Sequence, residues 1–206
     1  MASVASAQFT SNKEHTILSG SQKAGSNDVF TAGEGFGGIT CASATFEGTA
    51  ANKSEFEQLI TPTYQSCKDS FGRTVDIDNG ETFWNGHFYL WTNWLRYTFT
   101  SGASKGKAVV DGRMVLTVTS GGSVICTIEI TYPWVWQTIT GITYTNLGGT
   151  NGVEVTAHAK NVISTTSGGF FNCGIGNGEH KAGTYDGTAV LTGKDTSGAA
   201  AEISVD

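Results

Sequence analysis

The chain of 206 residues carries 12 Lys and Arg against 18 Asp and Glu, a formal net charge of −6 with only 15% charged residues. So sparse and acidic a charge offers no basic stripe to a phosphate backbone, which argues against nucleic-acid binding. No apolar run reaches the ~20 residues of a membrane helix, since the richest stretch, Phe83 to Phe99, is interrupted by Asn85, His87, Asn93 and Arg96, and membrane insertion is not expected. With 28 Gly and 2 Pro, and with Thr and Ser filling most polar positions, the composition suits strands joined by Gly and Asn turns better than a charged helical bundle.

Met1 is followed by Ala-Ser-Val-Ala-Ser-Ala, without the basic and apolar regions of a signal peptide. Ala5-Ser6-Ala7 nevertheless has the small-x-small form that precedes a cleavage site. The chain therefore reads either as a mature secreted domain or, if Met1 is native, as a protein assembled inside a cell, as a virion subunit would be. Residues 1–38 read as an N-terminal arm with the first strands, and residues 39–206 as a disulfide-stapled β domain, one domain overall.

Strands are expected at Ile39–Phe46, Leu59–Ser66, His87–Thr100, Lys107–Thr119, Ser123–Tyr132, Gly141–Thr145, Val153–Ile163 and Thr188–Thr192, with turns such as Asn79-Gly80, Ser120-Gly121-Gly122 and Ser167-Gly168-Gly169 between them. The only helical candidate is Asn52–Leu59, with a single turn at Ser54-Glu55-Phe56-Glu57. Many short strands with such turns define an all-β fold, an antiparallel sandwich or barrel. Arg113 to Ile130 reads as a hairpin about Gly121-Gly122, whose second arm puts Val124, Cys126, Ile128 and Ile130 on one face, so that Cys126 points into the core. The segments Thr45-Phe-Glu-Gly-Thr-Ala50 and Thr184-Tyr-Asp-Gly-Thr-Ala189 echo each other and suggest two related β layers.

The four cysteines, Cys41, Cys67, Cys126 and Cys173, show no zinc-finger spacing. They read as two disulfides, which implies an oxidising compartment, or alternatively as four buried thiols. Reflection of Ile39–Phe46 and Leu59–Cys67 about Ser54 sets Cys41 opposite Cys67, which leaves Cys126 to pair with Cys173.

The stretches Ile39-Thr-Cys-Ala-Ser-Ala-Thr-Phe-Glu-Gly-Thr49, Thr61-Pro-Thr-Tyr-Gln-Ser-Cys67, Thr74-Val-Asp-Ile-Asp-Asn-Gly80, Cys126-Thr-Ile-Glu-Ile130, Thr143-Tyr-Thr-Asn146 and Gly183-Thr-Tyr-Asp-Gly-Thr188 resemble, in register, a family of secreted β-rich proteins of Solirubrobacter-type actinobacteria. The resemblance implies secretion but brings no activity with it. That family carries two further cysteines, one after the Asn-Gly turn and one near Val110. Here Glu81 follows Asn79-Gly80 and no Cys lies near Val110, as the joint loss of a disulfide pair would leave. Trp134-Val135-Trp136 also stands where a smaller, Pro-containing segment is expected.

Titratable groups are few. His15, His87, His158 and His180 are scattered and match no HExxH or nucleophile motif, so no catalytic residue, no metal and no cofactor is expected. A hydrolase would need converging carboxylates, for which Asp76, Asp78, Glu81 and Asp111 are the candidates. Asp76-x-Asp78-Asn79-Gly80 opens like a calcium loop, but Glu81 and His87 stand where Gly and a bidentate Glu are required, and an Asn-Gly turn with solvated acids is the preferred reading.

All five Trp lie within Phe83–Phe99 and Tyr132–Trp136. Trp91, Tyr97 and Phe99 read as core, whereas Trp84, Trp94, Tyr132, Trp134 and Trp136 read as a binding surface, with Pro133 placing the second segment at a sheet edge. The expectation is a non-catalytic extracellular structural or binding protein that uses this surface for self-association, as a homo-oligomer, or for binding a surface polymer or glycan. The alternatives are a virion structural protein (a tail or capsid-decoration subunit), a carbohydrate-binding module and a secreted hydrolase.

Overall fold

The computed structural model describes residues 8–55, 57–78, 82–84, 87–89, 94–99, 105–111, 113–131 and 137–205. Eighteen strands follow in chain order: β1 (Phe9–Ser11), β2 (Thr16–Gln22), β3 (Asp28–Thr31), β4 (Ile39–Ala50), β5 (Ser54–Glu55), β6 (Glu57–Asp69), β7 (Thr74–Asp78), β8 (Thr82–Trp84), β9 (His87–Tyr89), β10 (Trp94–Phe99), β11 (Lys105–Asp111), β12 (Arg113–Ser120), β13 (Ser123–Thr131), β14 (Gln137–Asn146), β15 (Val153–Ser167), β16 (Gly178–Lys194), β17 (Ala200–Ala201) and β18 (Ile203–Val205). Among the described residues a short α-helix, α1 (Phe170–Cys173), lies between β15 and β16, and a single 3-10 turn spans Gly149–Asn151 between β14 and β15.

The pairings close into an antiparallel eight-stave barrel. The first stave is β2 continued by β3 after a loop over 23–27, the second β4 and the third β6. The fourth is β7 at one end and β10 at the other, both paired to β6. In the same way β12 and β11 share the fifth stave, and β13 and β14 the sixth. β15 and β16 are the seventh and eighth, and β16 closes the ring on β2 and β3. Each stave neighbours the next in sequence, an up-and-down barrel in which, among the described residues, every stave is paired on both sides.

Alternation decides which side chains fill it. In β4, Ile39, Cys41, Ala44 and Phe46 are buried while Thr40, Thr45, Glu47 and Thr49 face out, and β15 buries Val153, Val155, Ala159 and Val162 while His158 and Lys160 face out. Apolar inside and polar outside is the reverse of a membrane-spanning barrel. Among the described residues no helix is long and apolar enough to cross a membrane. The interior forms two apolar clusters, one around Leu116, Val118, Ile128 and Val162 and one around Leu18, Phe46, Ile142 and Val153, with Tyr64 packed against both.

Both ends are stoppered. At one, β1 pairs with β18 and β5, and Phe9, Ile203 and Val205 are buried in the second cluster. Asn146 holds this sheet, donating through Nδ2 to the Val205 carbonyl and accepting the Val205 N–H, both at 2.9 Å. At the other end Ala32, Phe36, Cys173 and Ile175, from the β3–β4 and β15–β16 connections, turn inward. The second disulfide, Cys126–Cys173, ties that connection to β13.

Two expectations are corrected. The helical turn at Ser54–Glu57 is instead the end strand β5 and the start of β6, because β1 and β10 offer ladder partners that a lone turn lacks. Val124 does not share the face of Cys126: it is 62% exposed. A bulge is the cause, since Val118 pairs with Cys126 but Thr119 with Val124, leaving Ile125 as the extra residue that reverses the alternation. The hairpin itself turns at Gly121 and Gly122, whose φ values of 58° and 80° are both in the region glycine tolerates.

Candidate functional site

The barrel wall brings one cluster of polar tips into its interior. Asp28 opens β3 opposite Cys41, Tyr185 lies opposite Phe30, and Tyr64 lies opposite Ala44. Directly opposed residues share a face, and Cys41, Phe30 and Ala44 all point inward, so the register turns Asp28, Tyr185 and Tyr64 inward as well. The Tyr185 hydroxyl donates to Asp28 Oδ1 at 2.5 Å, the length of a charge-assisted bond, and the Tyr64 hydroxyl donates to Tyr185 Oη at 3.4 Å. The rings are set edge to face, Phe46 on Tyr64 at 6.3 Å and Tyr64 on Tyr185 at 6.4 Å. The two echoing segments therefore supply the aromatics on either side of Tyr64, from strands that flank the same first stave.

Gly187 makes room for this cluster: a Cβ there would lie 2.1 Å from Asp28 Oδ1 and 2.7 Å from Tyr185 Oη. Asp28 is 2% exposed. Burial pushes its carboxyl above the ordinary aspartate range, against the opposing pull of the Tyr185 hydrogen bond. Burial first, then the neighbouring Tyr64 and Asp28, holds the Tyr185 phenol well above its ordinary value. Asp28 Oδ2 is buried and has no hydrogen-bond partner among the described residues.

An apolar cavity of about 70 Å³ adjoins the cluster. Phe30, Ile39, Leu116, Ile130 and Val162 line it, and Asp28, Tyr64 and Tyr185 are its polar members. A smaller space of about 20 Å³, walled by Phe46, Ile60, Val155 and Leu191, also touches Asp28 and Tyr185. One acid–phenol pair thus stands between two hydrocarbon-lined spaces.

Of the residues singled out from the sequence, the cysteines form both expected bridges, Cys41–Cys67 and Cys126–Cys173. Trp84 lies on β8, paired with His87, and Trp94 begins β10, paired with Asp111. Tyr132, Trp134, Trp136, Trp91 and Glu81 fall outside the described residues. Asp76 and Asp78 are exposed on β7, and among the described residues no three His, Cys, Asp or Glu side chains gather as a metal would need. Asp28, Tyr64, Tyr185 and Gly187 were not marked as a site by sequence reasoning. Their traces in the sequence are the echo around Tyr185 and Gly187 and the phrases Thr61–Cys67 and Gly183–Thr188.

The fold and this interior define a closed antiparallel β-barrel with an apolar filling and, among the described residues, two buried carboxyls, Asp69 paired with Arg73 and Asp28 without a cation. Comparison with family models, curated proteins and solved structures gives no match for the chain.

Proposed function

We propose that the protein is a non-catalytic, secreted barrel that holds a small, largely apolar molecule in its interior. The observation that carries this reading is the cavity beside Asp28, largely hydrocarbon-lined, with two phenols and a carboxyl that has one bonded and one unbonded oxygen as its polar members. Ligand sites have this composition, apolar walls with a few placed polar groups that fix orientation. Two disulfides across the wall suit an oxidising compartment. Hydrolytic chemistry finds no support beside Asp28, where the neighbouring polar groups are two phenols held by burial and hydrogen bonds rather than a second carboxylate.

Xenon enters dry apolar cavities without needing a specific contact, so methyl NMR spectra under xenon pressure test the reading. Shifts concentrated on Ile39, Leu116, Ile130 and Val162 are expected. An unchanged spectrum at these methyls would refute interior binding.

A second reading, association through the Trp-rich segments, has its own support in the connectivity. Residues 79–93 begin after β7 and 132–136 after β13, on staves four and six, with only stave five between them. The strands that flank the two segments therefore lie on one side of the barrel. Sedimentation of a Trp134→Ser, Trp136→Ser double variant tests this reading, which expects weaker association with the fold retained.

A further inference from the structure

Resting on interior binding as proposed above, the geometry points to a ligand class: we propose that the site takes a small aliphatic amine in its protonated form, the ammonium on Asp28 Oδ2 and the hydrocarbon in the cavity. Three observations lead there. Asp28 Oδ1 is engaged by the Tyr185 hydroxyl, while Oδ2, equally buried, has no donor among the described residues. The residues lining the cavity include no Lys, Arg or His, so an ionised Asp28 has no cationic partner in this wall. A buried charge without a partner is costly, and a ligand that brings the opposite charge recovers that cost on binding. The rings of Phe30, Tyr64 and Tyr185 also line the cavity, and aromatic rings attract an ammonium placed over their faces.

Size narrows the class. A space of about 70 Å³ is roughly half of the ~150 Å³ engineered cavity that accommodates benzene, which leaves room for about three or four carbon atoms. A neutral alcohol of that length would fill the same volume and donate one hydrogen bond to Oδ2 without compensating the carboxylate. A carboxylic acid in its ionised form would be repelled by it.

The pH dependence follows from the groups around Asp28. Those facing it among the described residues are Tyr185 from β16, in direct contact and with its phenol held well above the ordinary value by burial, and Tyr64 from β6 behind it. Burial raises the Asp28 pKa, so amine affinity increases as pH rises through that raised value and Asp28 ionises, and falls again near pH ~10 as the amine loses its proton.

The test is a titration with n-propylamine and, in parallel, n-propanol, read by methyl NMR and calorimetry on the intact disulfide-bonded chain, with xenon uptake measured for every variant. Hydrogen bonds to charged groups are worth enough that the amine should bind about 10–100-fold more tightly than the alcohol at neutral pH. Asp28→Asn should reduce that preference to within about threefold while xenon uptake persists. Tyr185→Phe, which leaves the carboxyl in place, should keep the preference for amine. Equal binding of alcohol and amine, or an amine preference that survives Asp28→Asn, overturns the ligand class while leaving interior binding intact. Loss of amine binding in Tyr185→Phe with xenon uptake retained likewise overturns it, by placing the contact on the phenol. Absence of xenon uptake in the wild type would instead sink interior binding itself.

Discussion

The Asp28–Tyr185 pair depends on the missing side chain at position 187, and Gly187→Ala is the sharpest perturbation of it. The backbone there does not adopt the positive φ values seen at other glycines, so alanine is sterically excluded only by its neighbours. Its Cβ would sit 2.1 Å from Asp28 Oδ1 and 3.1 Å from Tyr185 Cζ, and non-bonded contact near 3.5 Å requires the carboxyl to retreat by about 1 Å or more. That displacement breaks the 2.5 Å bond. Loss of a hydrogen bond to a charged acceptor costs about 1.5–3 kcal/mol, and overpacking adds about 1–3 kcal/mol. The stiffer unfolded chain of the alanine variant offsets about 0.4–1 kcal/mol. A net loss of about 2–4 kcal/mol is expected. In an Asp28→Ala background the closest clash is absent, so the same substitution should cost about 1 kcal/mol or less, giving a coupling of about 1.5–3 kcal/mol. Urea unfolding of the four proteins measures this, provided the m-values agree. Equal costs of Gly187→Ala in both backgrounds would show that the glycine serves some purpose other than housing Asp28.

Four further outcomes are expected. Because the folded chain holds the Asp28 proton to higher pH than the unfolded chain does, the folded state binds more protons between the two pKa values and stability falls as pH rises through that window. Asp28→Asn should flatten this slope, and melting temperatures measured from pH 4 to 8 for both proteins check it. Removing the Cys41–Cys67 bridge, which spans 26 residues, should cost about 3.5 kcal/mol, and removing Cys126–Cys173, which spans 47, about 4 kcal/mol. For the second, hydrogen exchange should quicken first over 168–177, where Cys173 and Ile175 seal one barrel end. Phe171, 98% exposed beside Phe170, should tolerate Ser with a change in stability within about 0.5 kcal/mol by urea unfolding. Leu116→Ala, which enlarges the cavity wall at a fully buried position, should cost about 2–5 kcal/mol and increase xenon occupancy.

The amino-acid sequence alone determined the β class, most of the staves and the disulfides, and the reasons are local. Reflection about Ser54 holds along the whole β4–β6 ladder, from Ile39 with Asp69 through Cys41 with Cys67 to Gly48 with Ile60, because a hairpin's register follows from its turn. The burial pattern skips a residue at Ala42–Ser43 and at Gln65–Ser66 alike, so the irregularity on one strand is matched on the other and the pairing sum survives. Where a bulge is one-sided, as at Ile125, the same parity argument misplaced Val124.

Only the tertiary structure decided the rest. β16 runs from Gly178 to Lys194, yet its sequence showed a strand only at Thr188–Thr192, because glycines at 183 and 187 remove the side-chain signal while the ladder to β15 holds the segment extended. A closed barrel and an open sandwich also share the same local alternation. What separates them is whether the last stave meets the first, a contact between residues such as Tyr185 and Phe30 that lie far apart along the chain. Asp28 and Tyr185, 157 positions apart, are brought together by that closure alone. Their burial, the raised pKa values and the unbonded carboxyl oxygen follow from it, since each is a property of an interior that exists only once the ring is complete.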